Sequence, residues 1–262
     1  MTHFYKNSKS ESCKPHGTEI LGTAKSSLCK TRAEYGMIAK TTKGDIVQTI
    51  CYIVGAREPG RISIVSRADA LVIAADGGLR YLEQQHIAPD LIVGDFDSLG
   101  RVPTGENILL HPVEKDDTDT MLAVKLGLER GCRVFVLYGC TGGRPDHTYA
   151  NYQTLLYLAQ RGAKGYLVGE GWICCAIENG SLAFPPSLSG TVSVFCPDGE
   201  TRGVDLRGLY YTLENGMLTS GFPLGVSNHF TGEQAVVSVR EGSLLVMWEE
   251  TVESFTGRIG SI

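Results

Sequence analysis

From Thr49 onward the chain alternates short β-branched apolar runs with segments of helical period. Ile50–Val54, Ala70–Ala75, Asp90–Val93, Ile108–His111, Arg133–Tyr138 and Gly165–Val168 read as strands, each mostly apolar and followed by Gly, Asp or Pro. Between them, Gly78–His86, Thr120–Arg130 and Pro145–Arg161 read as helices. Strands that are apolar throughout and alternate with helices specify a mostly parallel sheet with both faces covered. Beyond about Trp172 the helical signal disappears. Trp172–Ile177, Ser181–Phe184, Thr191–Cys196, Leu209–Leu213, Gln234–Val239 and Ser243–Trp248 read as short strands split by Asn-Gly, Asp-Gly and Glu-Gly, the pattern of an antiparallel β-sandwich. The expected fold class is therefore α/β plus all-β, with an α/β domain over residues 46–171 and a β-sandwich over 172–262.

Residues 1–45 differ. They are rich in Lys, Ser and Thr and hold no sustained hydrophobic period, so they bury too little apolar surface to offset their ordering entropy. A largely disordered extension is expected there. Its basic excess suits an organelle transit peptide, against which Glu11, Glu19 and Glu34 count; Met37, shortly before the first strand, offers an alternative start.

Composition narrows the class of function. The 262 residues carry a formal net charge of −5 and no Lys/Arg run, which argues against unspecific binding to nucleic acid or anionic lipid. No apolar stretch approaches the ~18 residues of a membrane helix. None of the eight cysteines forms a C-x-x-C pair, and several lie in apolar runs, so they read as reduced thiols of a cytoplasmic protein.

In open α/β sheets ligands sit outside the carboxyl ends of the strands. The second strand is followed by Asp76-Gly77-Gly78 and the third by Gly94-Asp95-Phe96-Asp97-Ser98. After the fourth comes Lys115-Asp116-Asp117-Thr118-Asp119, and after the fifth Gly139-Cys140-Thr141-Gly142-Gly143-Arg144-Pro145-Asp146-His147. Singly, these aspartates have ordinary structural readings: Asp119 and Asp146 suit helix starts, and Asp76 suits a turn. Asp95 and Asp97 resist such a reading, because two carboxylates one residue apart after an apolar strand repel each other unless a cation intervenes. Lys115 and Arg144 are the only basic residues in these four loops. Mg²⁺ resolves the conflict: it takes oxygen ligands from one or two carboxylates and completes its shell with water and substrate phosphates. The glycines of the fifth loop let backbone N–H groups approach phosphates at a helix N-terminus. With neither G-x-x-x-x-G-K-[ST] nor G-x-G-x-x-G, the pattern predicts a nucleotide polyphosphate site with Mg²⁺ that is neither a P-loop nor a dinucleotide site.

The series Asp76-Gly77-Gly78, DLIVGDFDS ending at Ser98, KDDTD ending at Asp119 and GGRPDH ending at His147 resembles the thiamine pyrophosphokinase (thiamine diphosphokinase) family in order and spacing, and Gly225-Val226-Ser227-Asn228 resembles its C-terminal signature. The likeness runs from about Ile50 to Trp248. It implies transfer of the pyrophosphoryl group of ATP to the hydroxyl of thiamine, giving thiamine diphosphate and AMP. It also implies a homodimer in which each site is shared between one subunit's α/β domain and its partner's β domain. Asp95, Asp97 and Asp119 match the family's Mg²⁺ ligands, with Mn²⁺ as the alternative cation. Asp76, Gly77, Gly78, Lys115, Asp116, Thr118, Gly142, Gly143, Arg144 and Asp146 fall in motifs around ATP, with Asp76, Asp97, Asp119 and Arg144 nearest the chemistry. Tyr211, Ser227 and Asn228 match the thiamine side; Tyr211 reads equally as a packed strand aromatic.

Two rivals remain at this level. A haloacid-dehalogenase-like phosphohydrolase also places D-x-D after a strand, although that pair should open the fold instead of following the third strand. A non-catalytic nucleotide- or vitamin-sensing module is the other.

Overall fold

The computed structural model describes residues 50–65, 68, 70–94, 108–110 and 117–259. The expected extension over 1–45 lies outside them. The first half contains β1 (Ile50–Val54), β2 (Ala70–Ala75), α1 (Gly78–Gln84), β3 (Leu91–Gly94), β4 (Ile108–Leu110), α2 (Asp119–Glu129), β5 (Val134–Tyr138), α3 (Pro145–Ala159) and β6 (Lys164–Val168). The second half contains β7 (Trp172–Glu178), β8 (Ser181–Phe184), β9 (Thr191–Phe195), β10 (Glu200–Arg207), β11 (Leu213–Thr219), β12 (Gly225–His229), β13 (Ala235–Ser238), β14 (Ser243–Glu249) and α4 (Val252–Ile259).

As the apolar runs require, β6-β5-β1-β2-β3-β4 lie side by side and all pair in parallel. The chain winds from β1 outward through β2, β3 and β4, then returns to lay β5 on the other side of β1. The crevice between the ends of β1 and β5 is therefore the topological switch point, where open α/β sheets bind ligands. Pairing turns antiparallel at β6–β7, and the sheet continues without a break through β7, β14, β9 and β12 to ten strands. A separate antiparallel sheet runs β11-β10-β13-β8. The α/β-plus-all-β class is thus observed, and the change of pairing falls close to residue 172.

Burial explains the layers. On β1, Cys51 and Ile53 face the apolar layer that holds Leu122, Leu126, Leu155 and Leu158 of α2 and α3. Tyr52 and Val54 face the opposite layer, which holds Leu79 and Leu82 of α1, Phe255 and Ile259 of α4, and Val204, Leu206 and Val237 of the second sheet. The large sheet is therefore covered on both sides, which is why its central strands carry apolar residues at every position.

Three local readings differ from the sequence expectation. Leu209–Leu213 is not a strand: Leu209 makes a single bridge to Phe230, and β11 begins only at Leu213. β10 and β12 are additional strands whose alternation is broken by register shifts, at Arg202/Val204 beside Gly203 (φ +66°) and between Gly225 and Asn228. A helix, α4, also follows the last strand. Its eight residues are too few to be stable alone; Phe255 and Ile259 bury in the core, with Phe255 edge-on to Tyr166 at 5.0 Å, and local bonds fix its start. Arg258 pairs with the buried Glu250 carboxylate, which also accepts from Ser254 Oγ (2.7 Å) and Trp248 Nε1 (2.7 Å). No helix among the described residues is long and apolar enough to cross a membrane.

Candidate active site

A cavity of about 500 Å³ opens at the switch point, a volume suited to a nucleotide-sized ligand. Its wall comes from the exits of β1 (Gly55, Ala56, Arg57), β2 (Ala75, Asp76) and β5 (Gly139, Cys140, Gly142, Arg144), from the start of α2 (Thr118, Asp119, Thr120) and from the first two turns of α3 (His147, Asn151).

Asp76 follows β2 in the left-handed region (φ +50°), with its N–H donating to the Val93 carbonyl (2.8 Å). A non-glycine residue held there costs on the order of 1 kcal/mol, a kind of strain that clusters at functional sites. Gly94 (φ +146°) passes so close that a Cβ would meet the Asp76 Cα at 3.0 Å. The turn after β2 and the exit of β3, whose next residue in sequence is Asp95, are thus packed together. Gly78 is required by sterics: its Cβ would lie 1.8 Å from the Val54 carbonyl oxygen, so only glycine lets α1 start against β1.

The α2 entry separates two neighbouring carboxylates. Asp117 is gripped by Lys125 Nζ at 2.7 and 2.6 Å, while Asp119 lies in the first helical turn and lines the cavity. Asp119 is not the cap. That role belongs to Thr118, whose Oγ1 accepts from the Met121 N–H (3.1 Å).

At α3, Arg144 is the N-cap residue and Pro145 fixes the first helical position. Asp146 accepts from the His147 N–H (2.9 Å) and binds Arg144 with a two-pronged pair, Nε–Oδ1 3.1 Å and Nη2–Oδ2 2.6 Å. The Arg144 guanidinium holds the Asp146 carboxyl well below its usual range, at about 2. Asn151, buried, donates to the Cys140 carbonyl (2.7 Å) and ties the β5 exit to α3. Cys140 donates its thiol to the Tyr138 carbonyl (3.3 Å), and burial pushes it up to about 12. It is a neutral wall, neither a nucleophile nor a soft-metal ligand at neutral pH.

Of the residues picked from sequence, Asp76, Thr118, Asp119, Gly142 and Arg144 meet in this cavity. Gly77, Gly78, Gly143 and Asp146 flank them without lining it. Asp95, Asp97, Lys115 and Asp116 lie outside the described residues. The metal question therefore rests on Asp76 and Asp119, whose oxygen donors beside a protonated thiol fit a hard divalent cation and not a thiophilic one.

Tyr211, Ser227 and Asn228 do not line the cavity; they lie around β12, the edge strand of the ten-stranded sheet. Tyr211 is 62% exposed, so it is not a packed aromatic, and its ring meets Tyr210 edge-on at 4.9 Å. Ser227 is exposed and adopts a positive φ (+59°), with its N–H bonded to Ser193 Oγ at 3.0 Å. Asn228 is only 3% exposed and works inward. Its Oδ1 accepts from the N–H groups of Tyr211 and His229 (2.9 Å each), and its Nδ2 donates to the Tyr211 carbonyl (2.7 Å).

Sequence reasoning missed the β1 exit. Gly55-Ala56-Arg57 lines the switch point and adds a third basic residue to the strand-end loops. The signal was present, since the strand-end rule applied to the first strand as well. His147 lay within a quoted motif and Asn151 one helical turn further on, and neither was assigned a role.

Two family matches run in succession along the chain: thiamin pyrophosphokinase, catalytic domain, over residues 63–167, and thiamin pyrophosphokinase, vitamin B1 binding domain, over residues 182–244. A thiamine pyrophosphokinase of Bacillus subtilis (strain 168) is 29% identical over 191 residues, covering 68% of this chain and 86% of the relative. The crystal structure of a thiamin pyrophosphokinase family protein from Enterococcus faecalis superposes with a TM-score of 0.67 at 26% identity, over 78% of this chain and 99% of that one. Yeast thiamin pyrophosphokinase shares the fold, with a TM-score of 0.61 at 17% identity over 80% of this chain and 89% of that one. The D-x-D pair, following β3 inside a matched catalytic domain, does not favour the dehalogenase-like reading. With both matches in the family's order, and the fold of its solved structures, the chain belongs to the thiamine pyrophosphokinase family.

Proposed function

We propose that this protein is a thiamine diphosphokinase, which moves the pyrophosphoryl group of ATP onto the hydroxyl of thiamine and releases AMP. One observation carries the proposal: a catalytic-domain match containing Asp76, Thr118, Asp119 and Arg144 of the cavity is followed by a vitamin-binding match containing Tyr211, Ser227 and Asn228. Residues 46–171 accordingly serve ATP and residues 172–262 serve thiamine.

Asp95, Asp97 and Asp119 are the proposed holders of Mg²⁺ or Mn²⁺. Such a cation, when bound, neutralises phosphate charge and polarises the phosphorus–oxygen bonds. The chain's own residues do the positioning, which dominates phosphoryl-type transfer. Gly142 (φ +80°) bends the backbone so that N–H groups can face phosphate oxygens, with Gly143 beside it, Lys115 adding charge and Asp116 bordering the nucleotide. Arg144, pre-positioned by Asp146, exchanges that carboxylate for a phosphate and stabilises charge on the transferring group. Asp76, a carboxylate of the cavity wall set apart from the proposed cation ligands, is the proposed acceptor of the hydroxyl proton.

Tyr211 presents its open ring to the cationic vitamin, and Asn228 braces the backbone behind it. Because these residues stand apart from the cavity, the site is completed by a second copy. Tyr210, Phe222, Leu224 and Val226 are exposed apolar side chains of the kind such a contact would cover. The six described cysteines are buried and unpaired, which supports a cytoplasmic setting.

The test is to incubate purified protein with ATP, Mg²⁺ and thiamine beside other vitamin alcohols. Formation of AMP and thiamine diphosphate with thiamine alone is expected. No AMP with any acceptor would leave the sensing module as the better account.

A further inference from the structure

We infer that Arg57 binds the polyphosphate of the nucleotide and sets its affinity, an inference that rests on the cavity being the ATP site.

Three observations place it. First, the β1 exit is locked onto the β5 exit: the Gly55 N–H donates to the Tyr138 carbonyl (2.8 Å) and the Arg57 N–H to the Gly139 carbonyl (3.1 Å). These bonds extend the β1–β5 pairing beyond both strands and fix the Arg57 backbone at the switch point. Gly139 permits the approach, since a Cβ there would lie 2.4 Å from the Arg57 carbonyl oxygen. Second, the Arg57 side chain reaches the glycine loop. A Cβ on Gly143 would meet Arg57 Cζ at 2.2 Å, so the guanidinium rests on the bare α-carbon of Gly143, between the cavity-lining Gly142 and Arg144. Third, its charge is uncommitted. Among the described residues the cavity's charged lining is Arg57, Asp76, Asp119 and Arg144. Arg144 is held two-pronged by Asp146, whereas the Arg57 guanidinium makes no ion pair or hydrogen bond with a described residue.

A guanidinium held in place by a fixed backbone and a glycine face has already lost part of the entropy that binding would remove. Its planar fork matches phosphate oxygens, while an ammonium offers only a point charge. Facing a polyanion that must also pass Asp76 and Asp119, it supplies attraction that Arg144 gives only after releasing Asp146. Arg57 is thus a specificity-determining residue for triphosphate over uncharged nucleosides.

The test compares wild type with Arg57→Gln and Arg57→Lys, using steady-state kinetics and competition by inorganic triphosphate and by adenosine. Losing a charge-assisted contact predicts a KM for ATP raised about tenfold or more in Arg57→Gln. The KM for thiamine should stay within about twofold and Arg57→Lys should recover part of the loss, because charge without the fork is retained. Inhibition by triphosphate should weaken in parallel, with inhibition by adenosine unchanged. An unchanged KM for ATP and unchanged triphosphate inhibition would overturn the inference. So would loss of adenosine inhibition alone, which would put Arg57 at the base. Equal damage in both variants with equally lowered Tm would make it a strut for the glycine loop. If wild type forms no AMP, the kinase reading fails by itself; calorimetric titration of wild type and Arg57→Gln with inorganic triphosphate still decides Arg57, with weaker binding by the variant expected.

Discussion

Replacing Asn228 by Ala separates a brace from a ligand. The side chain, 3% exposed, accepts from two backbone N–H groups and donates to one carbonyl, all within 2.9 Å. At a net ~0.5–1.5 kcal/mol per bond, its removal would cost roughly 2–4 kcal/mol; water reaching the exposed Tyr211 segment favours the lower end, about 2. Over a folded region of this size that corresponds to a fall in Tm of about 4–8 °C. Because the Tyr211 backbone is what Asn228 holds, the KM for thiamine should rise while the KM for ATP stays close to wild type. Urea unfolding, a thermal scan and steady-state kinetics on the same preparation provide the numbers. Asn228→Asp should share the stability loss, because it turns the donor facing the Tyr211 carbonyl into an acceptor. Wild-type stability with lost thiamine affinity in Asn228→Ala would refute the brace and make Asn228 a direct ligand.

Two further outcomes follow from the same geometry. Thr118→Ala, which removes the α2 cap, should cost about 1 kcal/mol in urea unfolding with turnover largely kept, whereas Asp119→Asn should keep stability and lower kcat by about a hundredfold or more; the reverse pattern would exchange their roles. Asp146, depressed to about 2 chiefly by its hydrogen bond to Arg144, should titrate by NMR near that value and move up toward ~4 in Arg144→Ala. Since the folded carboxyl is the more acidic, the pair's contribution to stability is complete above ~4 and fades as pH falls toward 2, so the profile around neutrality should be flat in this respect.

The legible and illegible parts of this molecule differ for physical reasons. β1, β2 and the entry of α3 were readable because buried parallel strands must be apolar at each position, and Arg144-Pro145-Asp146 carries a helix-start signature. Leu209–Leu213 misled because Tyr210 and Tyr211 look like strand residues, yet both rings are exposed and the backbone is held by Asn228 instead of a ladder. β10 hid behind the bulge at Gly203, and α4 behind a short sequence whose helicity depends on burying Phe255 and Ile259 against distant parts of the core. In the site, charge spacing pointed to Asp95 and Asp97, and the family resemblance added Asp76 and Asp119; only the fold distinguishes Asp117, tied to Lys125, from Asp119 in the cavity. The inward role of Asn228 and the reach of Arg57 to Gly143 depend on contacts between segments far apart in sequence, which no local pattern encodes.

The fate of the β-phosphorus tests the central claim most directly. With ATP labelled at that atom, Mg²⁺ and thiamine, the account predicts label in thiamine diphosphate, unlabelled AMP in equal amount, and neither ADP nor thiamine monophosphate as an intermediate. Label retained in ADP, or released with AMP as inorganic pyrophosphate or phosphate and absent from the vitamin, would contradict a one-step pyrophosphoryl transfer to thiamine.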